Sequence, residues 1–423
     1  MKYSLSPLAS LAALVALTPA FVNAQSSLWG QCGGIGWNYS QCLPGGTTST
    51  TSKTSTSTSS TFKTSTSSTS TGSHITWGTS SYGSTTSTST STSASSTPTK
   101  TKFKYFGVNE SGAEFGNTAW PGVLGKDYEW PADSSIDFFV GKGFNTFRVC
   151  FLMERISPPA NGLTGSFDPT YLAGLTTIVN YITSKGAYAL IDPHNFMIYD
   201  NAPIANTATV EELGHSVCPL FSISCCGILT DTIAFLKKSN PNVIFDAMNE
   251  PNGISASLTF SLMQAAVNGI RAAGATQLIL VEGTSWTGAW TWISSGNSAV
   301  FANIVDPLNN WAIEMHQYLD SDGSGTNPVC VSSTIGAERL AAATTWLQQN
   351  GIKGFLGEIG AGNNTDCITA VYGALESMQE SGAWIGATWW AAGPWWGDYF
   401  TSIEPPNGAA VADLLPQALE PFL

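Results

Sequence analysis

Glu250 closes the run Asn242-Val-Ile-Phe-Asp-Ala-Met-Asn-Glu250, and Glu358 closes Gly354-Phe-Leu-Gly-Glu358. Each carboxylate follows a short, nearly unbroken apolar run, which is how a strand buried on both faces reads. In a barrel of parallel strands, the side chains just past such a strand project into the mouth where active sites form. Taken singly, either Glu is equally well a partner for a helix end or a salt bridge. Two of them in this setting fit the paired carboxyls of glycoside hydrolysis, in which one protonates the leaving oxygen and the other acts at the anomeric carbon.

Residues capable of chemistry recur in step with further apolar runs. Asn109 and Glu110 follow the first, Arg148 lies in the second, and His194 and Asn195 follow the third. Asn249 precedes Glu250 after the fourth, and later runs supply Glu282, His316 with Tyr318, Glu358, and Trp389-Trp390. The eight strands expected are residues 103–108, 144–151, 187–192, 242–247, 277–281, 311–315, 354–356 and 384–388. Residues 171–185, 258–273, 337–350 and 367–380 carry apolar side chains at the three- and four-residue spacing of helices. Strand alternating with helix predicts an α/β chain closed into a (β/α)8 TIM barrel. An open doubly wound sheet is the rival, but no strand is followed by a GxGxxG turn and there is no P-loop.

Only this last part of the chain, residues 102–423, has barrel length. Lys2, the apolar stretch at residues 8–17 and the small-x-small Val22-Asn23-Ala24 read as a secretory leader over residues 1–24. Residues 25–46 form a small module, and residues 47–101 are almost wholly Ser and Thr, a composition that cannot build a core and reads as an extended stalk. The expectation is a secreted, extracellular, monomeric protein. A formal net charge of -13 argues against nucleic acid or an anionic membrane as partner and suits a neutral polymer. Eight cysteines in such a chain suggest disulfides. Cys330 and Cys367 are the expected pair, Cys32 and Cys42 a second candidate pair, and Cys150 a buried free thiol. Zinc-type spacing is missing, so neither metal nor organic cofactor is expected. Asn38, Asn109 and Asn363 match glycosylation acceptors; the barrel mouth should occlude Asn109, leaving Asn363 the better candidate.

Six motifs in order resemble glycoside hydrolase family 5, and more closely its fungal endo-β-1,4-glucanases. They are Phe147-Arg148-Val149, Asp192-Pro-His194-Asn195, Met248-Asn249-Glu250-Pro251, Glu314-Met-His316-Gln-Tyr318, Gly357-Glu358 and Thr388-Trp389-Trp390-Ala-Ala-Gly-Pro394. The resemblance implies that Glu250 is the acid/base, Glu358 the nucleophile and Asn249 the partner of the sugar 2-hydroxyl. It gives His194 and His316 roles in hydrogen bonding and makes Trp390 a sugar platform, with Trp389 facing the other way. Arg148 would favour the anionic form of Glu358, and Tyr318 would donate to it. Trp286, Trp290 and Trp292 are candidates for further subsites, whereas Trp395 and Trp396 read as packing first. The implied substrate is cellulose or a related β-1,4-linked polysaccharide, cut internally through a covalent intermediate. An endo-β-1,4-mannanase uses the same residue set, and a non-catalytic carbohydrate-binding barrel is the reading from a different class.

Two stretches depart from the resemblance. Residues 25–46 resemble the start and end of a family 1 cellulose-binding module with its middle missing, keeping Cys32 and Cys42 but losing the usual aromatic pair. Residues 213–229 show no helical period and concentrate Cys218, Cys225 and Cys226 where the third crossover helix should lie. A true insertion, a reactive-thiol patch and a coding-sequence error each account for that. A 22-residue remnant is too short for a stable core without staples. Residues 25–101 produced alone are therefore expected to wash off crystalline cellulose in a pull-down, and tight retention would contradict the truncation argument.

Overall fold

The computed structural model describes residues 100–162, 167–204, 240–272 and 274–423. Eight parallel strands close a barrel: β1 Tyr105–Glu110, β2 Thr146–Phe151, β3 Tyr188–Pro193, β4 Val243–Asp246, β5 Ile279–Glu282, β6 Trp311–Tyr318, β7 Gly354–Gly360 and β8 Trp384–Ala392. Closure is made where β1 pairs with both β2 and β8. All eight expected strands form. Six of them run beyond the residue at which the apolar pattern stops, so that Asn109, Glu282, His316, Tyr318, Glu358 and Trp390 lie on strands rather than after them. Inside a closed barrel, polar side chains can satisfy one another, and strand pairing continues through positions that hydrophobicity reads as an end.

The barrel interior is layered by the two-residue period of its strands. Tyr105, Leu190, Ile244, Leu278, Leu280, Ala312 and Phe355 pack together as an apolar floor. Two residues further along four of these strands stand Asp192, Asp246, Glu282 and Glu314, all buried. Room for this charged layer depends on Gly357: a Cβ there would lie 1.8 Å from Glu314 Oε1, so the carboxyl occupies space that any other residue would fill.

Outside the sheet run α1 Asp133–Lys142, α2 Pro169–Ser184, α3 Ala256–Ala272, α4 Ile335–Asn350 and α5 Thr365–Ser381. Local sequence sets their ends. Asp168 accepts from the backbone N–H groups of Thr170 and Tyr171 ahead of Pro169, and Asn364 accepts from Cys367. Glycines in left-handed conformation stop α1, α4 and α5 at Gly143, Gly351 and Gly382. The four stretches with helical period become α2 to α5. Periodicity does not single out α1, because its buried face carries little beyond Ser135, Ile136 and Phe139. Between β5 and β6 the wall is only two helical turns, Asn297–Val300 and Phe301–Asn303. The third crossover, with Cys218, Cys225 and Cys226, lies outside the described residues, as do the leader, the small module with Cys32 and Cys42, and the stalk.

Cys330 and Cys367 are joined, tying the loop after β6 to the first turn of α5, and Cys150 is a buried free thiol. Closing a loop of 37 residues restricts the unfolded chain. Replacing Cys367 by Ala is expected to lower stability by roughly 2–4 kcal/mol in denaturant unfolding, without changing the far-UV circular dichroism of the folded state.

Candidate active site

Arg148 stands in the middle of the charged layer, fully buried, and its guanidinium is shared among five carboxylates. Nη1 lies 2.9 Å from Asp192 and 3.2 Å from Glu358; Nη2 lies 2.9 Å from Asp246 and 3.4 Å from Glu282. Nε lies 3.0 Å from Glu314 but is not hydrogen-bonded to it, so that contact is Coulombic. Burial alone would lower the Arg148 pKa, but Asp192, Glu314 and Asp246 together raise it, and the side chain stays cationic. One cation cannot balance so many anions in a dry interior. Burial accordingly pushes up Asp192, to about 6, and Asp246, to about 7, and raises Glu282 and Glu314 well above the carboxylate range.

Glu250 and Glu358 meet just above this layer. One carboxyl oxygen from each, with a ring nitrogen of His316, lie within 4.8 Å of one another. Glu250 sits beyond β4 with φ 42°, a left-handed backbone that is costly for a side chain of this kind. Its Oε1 lies 2.8 Å from His316 Nδ1. Glu358 receives a hydrogen bond from Arg148 Nη1 and a short one from the Tyr318 hydroxyl. These surroundings separate the two acids. Burial, then the charge of Glu358, lifts Glu250 well above the usual range. Burial lifts Glu358 as well, but Arg148 and the Tyr318 hydroxyl pull it back, so that it is raised less than Glu250. Both imidazoles are kept neutral, chiefly by burial.

His194 and Trp390 form a second group. His194 Nδ1 lies 2.7 Å from Asp192, and its ring stacks on Trp390 with centroids 5.4 Å apart. Asn249 Oδ1 is held by Arg148 Nη2 at 2.8 Å, which leaves its Nδ2 as donor, 3.4 Å from His194 Nε2. Every site residue read from the sequence, namely Arg148, His194, Asn249, Glu250, His316, Tyr318, Glu358 and Trp390, therefore belongs to one connected cluster. Trp389 points away from it, its indole donating to Thr401. Trp396 packs edge-on against Trp390, and Trp395 is the more exposed of the pair.

Among the described residues, one hollow opens beside the loops after β1 to β3 and another beside those after β4 to β6. One, about 330 Å³, is lined by Asn117, Trp120, Glu154, His194 and Asn195. The other, about 300 Å³, is lined by Glu250, Trp286, Trp290, His316 and Tyr318, and the Arg339 guanidinium lies 4.0 Å over the Trp290 ring. Trp292, expected with Trp286 and Trp290 as a possible subsite, is instead fully buried against Phe301 and Trp346, because the short β5–β6 wall needs a large ring to fill it. Trp120 gave no signal in the sequence beyond being aromatic. Asn109 is fully buried and donates to Gly357 and Trp389, which occludes it as expected. Asn363 is half-buried, its Nδ2 donating to Ala409 and Asp413 and its Oδ1 accepting from the Leu414 N–H.

Among the described residues, three His/Cys/Asp/Glu sets gather donor atoms closely enough for a cation: Cys150-Asp192-His194, Glu250-His316-Glu358 and Glu282-Glu314-His316. Sequence spacing alone shows no such third ligand. Each set includes a carboxylate already paired with Arg148, so the positive charge it can use is supplied by the guanidinium.

Residues 108–394 match the cellulase family, glycosyl hydrolase family 5. The chain belongs to that family. This family-5 chain is 48% identical over 323 residues to a probable endo-beta-1,4-glucanase B of Neosartorya fischeri, covering 76% of the chain and 92% of that relative. It is 44% identical over 404 residues to Endoglucanase 3 of Humicola insolens, covering 91% and 92%. A solved endo-beta-1,4-glucanase of Xanthomonas axonopodis pv. citri superposes with a TM-score of 0.68 at 40% identity, covering 75% of this chain and 98% of that one. A structure of XacCel5A in complex with cellopentaose gives the same TM-score, 0.68, at 39% identity over 76% and 99%.

The raised carboxyls make stability depend on pH in a definite direction. A buried acid whose folded pKa exceeds its unfolded value stabilises the fold fully below the unfolded pKa, and that contribution is lost as pH rises through the folded one. For Asp192 and Asp246 the window runs from 3.8 to about 6 and about 7. The melting temperature is expected to be highest near the bottom of that window and to fall toward neutrality in scanning calorimetry; a melting temperature that rises from pH 4 to 7 would contradict the charged-layer account.

Proposed function

We propose that this glycoside hydrolase is a secreted endo-β-1,4-glucanase that cuts internal bonds of cellulose with retention of anomeric configuration. The observation that carries the reading is the meeting of Glu250 and Glu358 within 4.8 Å, with Arg148 and Tyr318 bonded to only one of them. A retaining mechanism needs carboxyls about 5–5.5 Å apart, one protonated and one ionised. Glu358, kept anionic, attacks the anomeric carbon. Glu250 delivers its proton to the departing oxygen as the glycosidic C–O bond breaks, leaving a glycosyl ester on Glu358. In the second step Glu250, now a carboxylate, takes a proton from a water. That water's oxygen bonds to the anomeric carbon and releases Glu358.

The remaining residues hold the sugar. Asn249 Nδ2, oriented by Arg148, suits the 2-hydroxyl, a contact that strengthens as positive charge develops on the ring. His194 supplies a further polar contact, and Trp390 a flat apolar face. Hollows beside both sets of loops suit a chain running past the carboxyls in both directions, which supports internal cleavage. Preference for β-1,4-glucan over mannan is supported by the endo-beta-1,4-glucanase relatives and the cellopentaose-bound neighbour. Residues 102–423 are the catalytic domain in this reading, preceded by the leader, the truncated module and the stalk; no described helix is long and apolar enough to cross a membrane.

Glu358→Gln and Glu250→Gln are each expected to lower reducing-sugar release from carboxymethylcellulose by about 10³-fold or more while remaining folded by circular dichroism. Proton NMR of early product should show the β-anomer, and mannan should be cut far more slowly than carboxymethylcellulose. A substantially active Glu358→Gln enzyme, or α-anomer as first product, would remove the assignment.

A further inference from the structure

Glu282 is used by neither step above, yet it touches the acid/base more intimately than any other carboxylate. It is fully buried at the end of β5, and its Oε2 accepts from the backbone N–H of Glu250 at 2.6 Å. That N–H belongs to the residue held at φ 42°, so the bond fixes the left-handed turn that aims the Glu250 side chain. The other oxygen, Oε1, lies 3.6 Å from His316 Nε2 and 3.4 Å from Arg148 Nη2. His316 Nε2 has no hydrogen-bond partner although it is buried, and His316 Nδ1 lies 2.8 Å from Glu250 Oε1. One imidazole thus stands between the two Glu side chains, with a nitrogen toward each.

We propose that Glu282 is the positioning residue of the acid/base: one oxygen pins the Glu250 backbone, and the other shares a proton with the Glu250 carboxyl through His316. The exchange is balanced. The O–H bond of Glu250 breaks as an N–H forms at Nδ1, the N–H at Nε2 breaks as an O–H forms on Glu282 Oε1, and the imidazole stays neutral with its tautomer reversed. The transfer to Glu282 requires the 3.6 Å gap to close to hydrogen-bond length. The other charges facing Glu282 are Arg148, Asp246 and Asp192, with Glu314 3.6 Å from the same Nε2. The proton that Glu250 delivers leaves with the departing sugar; the one it takes from water in the second step can pass through His316 to rest on Glu282 and return to Glu250 for the next cycle.

The proposal rests on the reading of Glu250 as acid/base, and the experiment separates the two. Full-length Glu282→Gln keeps an oxygen for the Glu250 N–H but cannot take the proton. Its kcat/KM on cellotetraose is expected to fall about tenfold or more, with the alkaline limb of the pH profile moved to lower pH. On 2,4-dinitrophenyl β-cellobioside, whose leaving group needs no proton, kcat/KM should stay within about twofold of the parent. Glu282→Ala, which also loses the backbone clamp, should lose more on cellotetraose. A parent-like pH profile and kcat/KM for Glu282→Gln, or equal losses on both substrates, would overturn the proposal. If Glu282→Gln does not fold, Glu282→Asp, which keeps the charge but withdraws it from His316, should show the same selective loss, and indifference to it would count against the idea equally. Glu250→Ala is the control for the underlying reading. It should spare the dinitrophenyl substrate and yield β-cellobiosyl azide when azide is added. Its failure to do so would sink the acid/base role of Glu250, whatever Glu282→Gln shows.

Discussion

A single buried guanidinium holds this barrel's interior together. Arg148 reaches carboxylates on β3, β4, β5, β6 and β7, and so joins most of the ring at one depth. Barrel interiors are more usually filled with branched apolar side chains, which attract one another without direction. Here the layer above the apolar floor is ionic and directional, and its geometry is fixed only while the guanidinium is shared. Removing one member of such a cluster leaves charges buried and unpaired, which costs several kcal/mol.

The same shortage of positive charge prepares the chemistry. With several acids competing for one cation, their protonation is decided by small differences in position. Glu358 lies within hydrogen-bond reach of Arg148 and Tyr318, whereas Glu250 faces a neutral imidazole. That difference gives two identical side chains opposite tasks at one pH. The cluster also orients groups that do not titrate: Asn249 is turned by Arg148, and His194 by Asp192. Catalytic preorganisation and interior packing are therefore the same set of contacts.

Strand-end polar residues were legible because a barrel's strands are buried on both faces and its site residues interrupt otherwise apolar runs. That signal located Glu250 and Glu358, and motif order placed Arg148, His194, Asn249, His316, Tyr318 and Trp390 with them. It failed in two instructive places. Trp292 reads like its neighbours Trp286 and Trp290, but filling a thin part of the wall claims it. Helix α1 carries too few apolar residues for its period to show.

Local composition and period thus determined the number of strands, four of the helices, and which side chains could do chemistry, since each of those depends on neighbours within a few residues. Tertiary structure alone decided that strand pairing continues through His316, Tyr318 and Glu358, because only closure brings partners for buried polar groups. It alone placed Glu282 against the backbone of Glu250, a contact between residues 32 positions apart for which spacing gives no sign. The difference between an acid that holds its proton and one that gives it up is likewise absent from the residue type. It arises from what the fold sets beside each carboxyl.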